Sequence, residues 1–161
     1  KIVWNGLFLK EYHKLQLRQN IGYCPQSTEW MHRSLKENLT IAVDGDHDEN
    51  IDGLVKSLKL SSLFDNGLTL ETVMGDGGRD ISGGEKQRLS LIRTSLRQNL
   101  PIYIFDEPTA SLDKASADEV RKLMAEKAQN GAMVLLFSHN RDDWALCHRV
   151  LQLEPEPPKA R

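Results

Sequence analysis

Apolar residues fall along this chain in two rhythms. Ile102-Tyr103-Ile104-Phe105 and Met133-Val134-Leu135-Leu136-Phe137 are unbroken apolar runs of strand length, the pattern of strands buried on both faces of a parallel sheet. Ile2-Val3-Trp4 and Ile21-Gly22-Tyr23-Cys24 predict shorter strands. Lys1 to Gly6 runs from strand into turn, and Pro25 ends the second strand because it brings no N–H to the ladder. Val150 to Leu153 predicts a last strand. Elsewhere the spacing is helical: Ile51, Leu54, Val55 and Leu58 mark one face of a helix over Asp48 to Leu58. Ser34 to Leu39, Ser61 to Phe64, Gly84 to Arg97, Ala115 to Gln129 and Arg141 to Cys147 predict further helices, and Asn130-Gly131 is a common stop signal. Asp65 to Asp80 is glycine-rich and irregular, and the proline-rich tail 154–161 is expected to be flexible. No internal repeat is visible. The alternation predicts an α/β chain whose sheet domain is interrupted by a helical insertion over about Ser27 to Gln98.

Composition narrows the chemistry. A chain of 161 residues is about the size of one domain. Its net charge of -2 leaves no basic footprint of the kind nucleic acid requires, so no nucleic-acid partner is expected. The apolar runs fall far short of the roughly 20 residues that span a bilayer. Cys24 and Cys147 are too few and too distant for a disulfide framework, and no Cys/His spacing resembles a zinc site. A reducing, cytoplasmic setting is expected. The opening at Lys1, already strand-like, reads as a chain cut inside a domain.

Two segments then carry chemistry. In Asp80-Ile81-Ser82-Gly83-Gly84-Glu85-Lys86-Gln87-Arg88 a serine and two glycines open the long helix. Its first N–H groups lack intrahelical partners and lie at the positive end of the helix dipole, so they attract anions. Ser82 is a good N-cap, Glu85 completes a capping box, and the glycines remove side chains that would keep a phosphate away. Alone, the segment reads equally as a well-capped helix after a flexible loop. Downstream, the strand Ile102 to Phe105 ends in Asp106-Glu107-Pro108-Thr109. One carboxylate at a strand tip can hold Mg²⁺ and its neighbour can deprotonate an attacking water; alone, such a pair also fits a turn or a cap. Ala110-Ser111-Leu112-Asp113 follows, and His139 comes just after the strand Met133 to Phe137.

In this order the residues resemble the nucleotide-binding domain of ABC transporters. Ile81 to Glu85 resembles the signature motif, with Ile and Glu where Leu and Gln are usual. Ile102 to Glu107 resembles Walker B with its catalytic Glu, Ser111-Leu112-Asp113 the D-loop, His139 the switch histidine, and Tyr23-Cys24-Pro25-Gln26 the Q-loop. Ser34 to Leu39 and Thr72 to Gly78, the latter similar to the X-loop, match the exporter pattern.

The resemblance implies an incomplete P-loop NTPase-like sheet core with an inserted helical subdomain. Residues 1–26 and 99–153 would form portions of a RecA-like ATPase core, and 27–98 the helical subdomain. It implies an ATP-hydrolysing motor of an ABC exporter at the cytoplasmic face of the membrane. Glu107 would polarise the attacking water and His139 would contact the γ-phosphate. Asp106 and Gln26 would complete the Mg²⁺ shell, and Gln26 would also report to the membrane domain. Ser82, Gly83, Gly84 and Glu85 would serve ATP held by a second nucleotide-binding domain, with Asp113 linking the two sites. The membrane domain would meet Gln26 to Leu39 and Thr72 to Gly78.

One part is missing. The family's phosphate cradle, G-x-x-x-x-G-K-[ST], needs a Gly-Lys pair, and none occurs here. The resemblance puts the cradle upstream of Lys1, so the chain by itself is expected to be inactive. In the family the strand leading into the cradle lies mid-sheet, so an unpaired edge is expected beside Ile102 to Phe105. Two other readings stay open: an interaction module that only pairs with a complete domain, and a DNA-repair ATPase. The second needs a long coiled coil between Q-loop and signature, and Ser27 to Asp80 shows no heptads.

Overall fold

A computed structural model describes residues 1–153. The chain opens with an antiparallel hairpin of β1 (Val3–Trp4) and β2 (Leu7–Phe8). Asn5 and Gly6 make its two-residue turn, both at positive φ, 47° and 81°, the conformation for which Asn-Gly is preferred in hairpins. A 3₁₀ turn over Leu9–Glu11 leads to α1 (Lys14–Asn20) and β3 (Ile21–Cys24). Then come α2 (Leu35–Thr40), α3 (Asp48–Ser57), α4 (Ser61–Asp65) and α5 (Gly83–Leu96). The last part is β4 (Ile102–Asp106), α6 (Lys114–Gln129), β5 (Met133–Phe137) and α7 (Arg141–Trp144).

Strands β3, β4 and β5 pair in that order as a parallel sheet. Helix α5 lies against β3 through polar as well as apolar contacts. Thr94 Oγ1 donates to the Tyr23 carbonyl at 3.2 Å, Arg97 Nη1 donates to the Ile21 carbonyl at 2.6 Å, and Cys24 Sγ lies 3.6 Å from Ser90 Oγ. Burial pushes the Cys24 thiol up to about 11, so it packs as a small apolar group and not as a thiolate. Gly22 is fixed by close approach: a Cβ there would lie 2.6 Å from the Tyr103 ring.

The inserted helices share the core with the sheet. Leu35, Leu39, Ile51, Leu58, Leu89 and Ile92 are buried in one cluster with Phe105 and Val120. Asn38, fully buried, organises the turn into α2: its Nδ2 donates to the carbonyls of Met31, Arg33 and Ser34, and its Oδ1 accepts from Met31 N at 2.9 Å. Residues 70–74 run beside this turn, where Leu35 N and Lys36 N donate to the Thr72 and Leu70 carbonyls, both at 2.8 Å, and Met74 N donates to Arg33 O at 2.9 Å. Gly75, at φ 79°, lets the backbone fold over Trp30 to His32, since a Cβ would meet the Trp30 carbonyl at 2.6 Å.

The structure corrects several expectations. Strand β4 is central and paired on both sides, so no free edge lies beside Ile102 to Phe105. Among the described residues the edge strands of this sheet are β3 and β5, and β5 is covered on one face only: Val134 and Leu136 meet the core, while Met133, Leu135 and Phe137 are exposed. Val150 to Leu153 forms no strand; its apolar side chains are exposed and no strand lies beside it among the described residues. Helix α7 stops at Trp144 and not at Cys147: beyond it Leu146 N and Cys147 N donate to the carbonyls of Asp143 and Trp144, three residues back, as in turns. The expected flexible tail, 154–161, lies outside the described residues.

An apolar stripe on an unpaired strand edge favours edge-to-edge association. Leu135 is 42% exposed, in the middle of that stripe. Leu135→Lys should therefore reduce concentration-dependent light scattering of the chain without lowering its melting temperature. A variant that scatters as much as the parent would remove β5 as the sticky edge.

Candidate functional site

Three parallel strands in register deliver their following loops to one place. Cys24 lies opposite Phe105, Phe105 opposite Leu136, and Asp106 opposite Phe137. Gln26, Asp106, Glu107 and His139 therefore all follow the carboxyl ends of neighbouring strands, the edge of an α/β sheet at which ligands bind.

Glu107 is the most constrained of them. It is a non-glycine residue at φ 48°, a conformation that persists only when its surroundings hold it. Its N–H donates to the Phe137 carbonyl at 2.9 Å. Oε1 accepts from the His139 N–H at 3.2 Å and lies 2.9 Å from His139 Nδ1. Oε2 is buried and has no hydrogen-bond partner. A buried carboxylate oxygen left unsatisfied is costly, and a water or an incoming group would relieve it. The His139 side chain is 80% exposed; with Nδ1 engaged, Nε2 is left for another partner.

Residues on this edge carry oxygens of the type that Mg²⁺ takes, a hard cation usually held by one or two carboxylates together with waters and phosphates. Asp106 supplies a carboxylate and Gln26 an amide oxygen. Tyr23 stands beside Asp106, its hydroxyl 3.5 Å from Oδ2. No three His, Cys, Asp or Glu side chains gather into a metal cage among the described residues, so a cation here would depend on its substrate for further ligands.

The second candidate lies at the start of α5. Ser82 Oγ accepts from Glu85 N at 3.3 Å, while Ser82 N and Oγ both donate to Glu85 Oε2, at 2.8 and 2.7 Å. The Ser82 hydroxyl holds the Glu85 carboxyl below the usual glutamate range, helped by the Ser82 N–H and opposed by burial. Glu85 thus serves the cap, and the hydroxyl must leave it before it can donate to a phosphate. The two glycines differ. A Cβ on Gly83 would meet nothing within 4 Å, whereas one on Gly84 would lie 2.8 Å from the Ser111 carbonyl. Gly83 leaves the helix mouth open; Gly84 lets it seat on the loop that follows β4.

That loop ends at Asp113, which caps α6 by accepting from Ser116 N at 3.0 Å and Ser116 Oγ at 2.7 Å. These bonds hold its carboxyl below the ordinary range. Arg88 of α5 reaches the same cap, donating to Ser116 Oγ at 3.1 Å. The structure therefore brings Glu107 and His139 into contact and sets Gln26 and Asp106 on the same edge. It links the helix that opens at Ser82 to Glu85 with Asp113 only through Gly84 on Ser111 and Arg88 on Ser116, and no hydrogen bond links this second group to the first among the described residues. Thr109, Ser138, Arg121 and Asp143, which surround the first cluster, carry no sequence signal of their own beyond a threonine and a serine beside the motif residues.

The family model for "ABC transporter" matches residues 1–110. Over 155 residues the chain is 32% identical to a probable ABC transporter ATP-binding/permease protein of Haemophilus influenzae, covering 93% of this chain and 27% of that protein. It is 31% identical to a glutathione/L-cysteine transport system ATP-binding/permease protein of Escherichia coli, covering 86% of this chain and 24% of the relative. A bacterial Atm1-family ABC exporter solved with ATP bound superposes with a TM-score of 0.76 at 25% identity, over 88% of this chain and 25% of that one. The chain spans about a quarter of the length of these relatives.

The cap gives a test with a definite sign. Ser82→Ala should cost about 0.5–2 kcal/mol in denaturant unfolding at neutral pH. Because the folded Glu85 carboxyl is depressed, its contribution is present above its unfolded value of about 4.3 and lost as pH falls through the folded one. The stability gap between parent and Glu85→Gln should accordingly close on acidification. A gap that stays constant down to the acid limit would remove Glu85 from the cap.

Proposed function

The chain belongs to the ABC transporter family, in its ATP-binding part, and we propose that it supplies the hydrolytic and signature portions of an exporter's ATPase motor. On this reading residues 1–26 and 99–153 belong to the ATPase core and 27–98 to the helical subdomain. The observation that carries it is the Glu107–His139 pair. Glu107, strained and pinned by two contacts from the His139 residue, keeps one carboxylate oxygen buried and unpartnered at the ligand-binding edge of the sheet.

The chemistry follows from that geometry. Water positioned at Glu107 Oε2 loses its proton to the carboxylate as it attacks the γ-phosphorus in line, and the bond to the β-phosphate oxygen breaks so that ADP leaves with the bonding electrons. His139 holds Glu107 through Nδ1 and offers Nε2 to the phosphate. Asp106 and Gln26 would hold Mg²⁺, which when bound neutralises charge developing on the phosphates. Gly83, open at the mouth of α5, lets backbone N–H groups of Ser82 to Glu85 approach the γ-phosphate of ATP held by a second copy or a related domain, and Ser82 Oγ donates after releasing Glu85. Asp113, tied through Arg88 and Ser116 to the same helix, carries the state of one site toward the other. The joined segments 30–36 and 70–75 form one surface that would meet the membrane domain on its cytoplasmic side.

Without a Gly-Lys cradle the 161 residues alone should bind MgATP weakly, since a helix N-terminus contributes only about 0.3 to 2 kcal/mol toward an anion. Calorimetric titration giving low-micromolar affinity would overturn the placement of the cradle outside this chain.

In the full-length protein, Glu107→Gln keeps size and a carbonyl but removes the base. Hydrolysis should slow by about 10²- to 10⁴-fold while ATP binding persists, and an ATP-dependent association of nucleotide-binding domains should accumulate, read by cross-linking. Adding Ser82→Arg should abolish that association by filling the phosphate position. Hydrolysis at the parent rate would reduce Glu107 to a turn acid, and association that survives Ser82→Arg would remove the trans role of the signature.

A further inference from the structure

Behind the Glu107–His139 pair lies a buried polar network that the proposed reaction does not use. Asp143, the third residue of α7, is fully buried, a position that an ionised carboxylate tolerates only when its acceptor sites are filled. They are filled from three separate elements. Oδ1 accepts from Arg121 Nε of α6 at 2.7 Å. Oδ2 accepts from Thr109 Oγ1 at 2.7 Å and from Ser138 Oγ at 2.6 Å. Arg121 is itself buried and held by Asp118 at 2.8 Å.

The two hydroxyls sit on the two loops that matter. Thr109 follows Glu107 by two residues, and Ser138 immediately precedes His139. One carboxylate oxygen thus joins the loop after β4 to the loop after β5. The junction is short and charge-assisted. Ser138 is further locked: its Oγ accepts from Asn140 N at 3.0 Å and its carbonyl from Trp144 Nε1 at 2.9 Å. Nothing in Glu107 or His139 alone accounts for the strained φ of 48°, which requires a surrounding structure that over-determines it. A plain ion pair between α6 and α7 would need only Arg121 and Asp143; the two hydroxyls reach from the catalytic loops to the same oxygen.

We propose that Asp143, held by Arg121, is a positioning residue that ties the Thr109 and Ser138 loops together and so sets the Glu107–His139 contact. The inference rests on the hydrolytic reading of that pair, and its test separates the two. In the full-length protein, Thr109→Val keeps the shape of the side chain and leaves the Arg121–Asp143 ion pair in place. Turnover should fall on the order of 10-fold, as expected for a misplaced reacting group, with MgATP affinity within about twofold of the parent. Amide hydrogen exchange should rise in residues 137–144, the loop to which Thr109 does not belong. Thr109→Ser, which restores the hydroxyl, should recover both turnover and protection. Ser138→Ala reads the tie from its other end and should raise exchange in residues 107–113.

Unchanged exchange across the junction in both variants, or a Thr109→Ser variant as impaired as Thr109→Val, overturns the positioning role and leaves Asp143 as a buried ion pair. If Glu107→Gln turns over at the parent rate, the functional reading fails, and the exchange measurements still decide the tie on their own.

Discussion

The parallel, in-register pairing of β3, β4 and β5 is the constraint on which the rest of the site depends. Parallel strands point their carboxyl ends the same way, and the observed register aligns those ends to within a residue. Residues that are 80 or more positions apart in sequence, such as Tyr23 and Asp106, thereby become neighbours. The loops that follow inherit the alignment, which is why the Glu107 N–H finds the Phe137 carbonyl and its carboxylate finds His139. A slip of one residue between β4 and β5 would turn every side chain to the opposite face and separate that pair.

What holds α5 to this sheet also joins the two candidate clusters mechanically. The C-terminal end of α5 is bonded to the backbone of β3 through Thr94 and through Arg97, the residue that follows the helix, while its first turn rests on the Ser111 carbonyl through Gly84. A displacement of the loop after β4 therefore bears directly on α5, with no intermediary. Gly83 and Gly84, alike in sequence, divide the work: one leaves space for a ligand and the other gives up its side chain to packing.

Much of this was legible in the sequence because the relevant signals are local. Uninterrupted apolar runs marked β4 and β5, Ser82 with Glu85 marked the start of α5, and Asn130-Gly131 marked the end of α6. The expectations that failed concern partners. Val150 to Leu153 has strand-like residues but no neighbouring strand among the described residues. Met133 to Phe137 looked buried on both faces, yet one face is open. The free edges fell to β3 and β5 and not to β4, because strand order is a long-range property that an apolar run does not encode. Helix α1 went unread because Lys14-Leu15-Gln16-Leu17 alternates polar and apolar residues, and Leu15 is in fact exposed.

The buried network shows the same limit from the functional side. Asp143 sits in Arg141-Asp142-Asp143-Trp144, a stretch that reads as an ordinary charged helix start. Only the fold distinguishes its two aspartates: Asp142 N is capped by Asn140 at the surface, whereas Asp143 is turned inward to three donors. The motif residues carry chemistry that their own identity announces. The residues that hold them in place are ordinary by type and become specific only through where the chain sends them. At this site that means one carboxylate oxygen shared by a threonine and a serine, each within two residues of one that the proposed reaction needs.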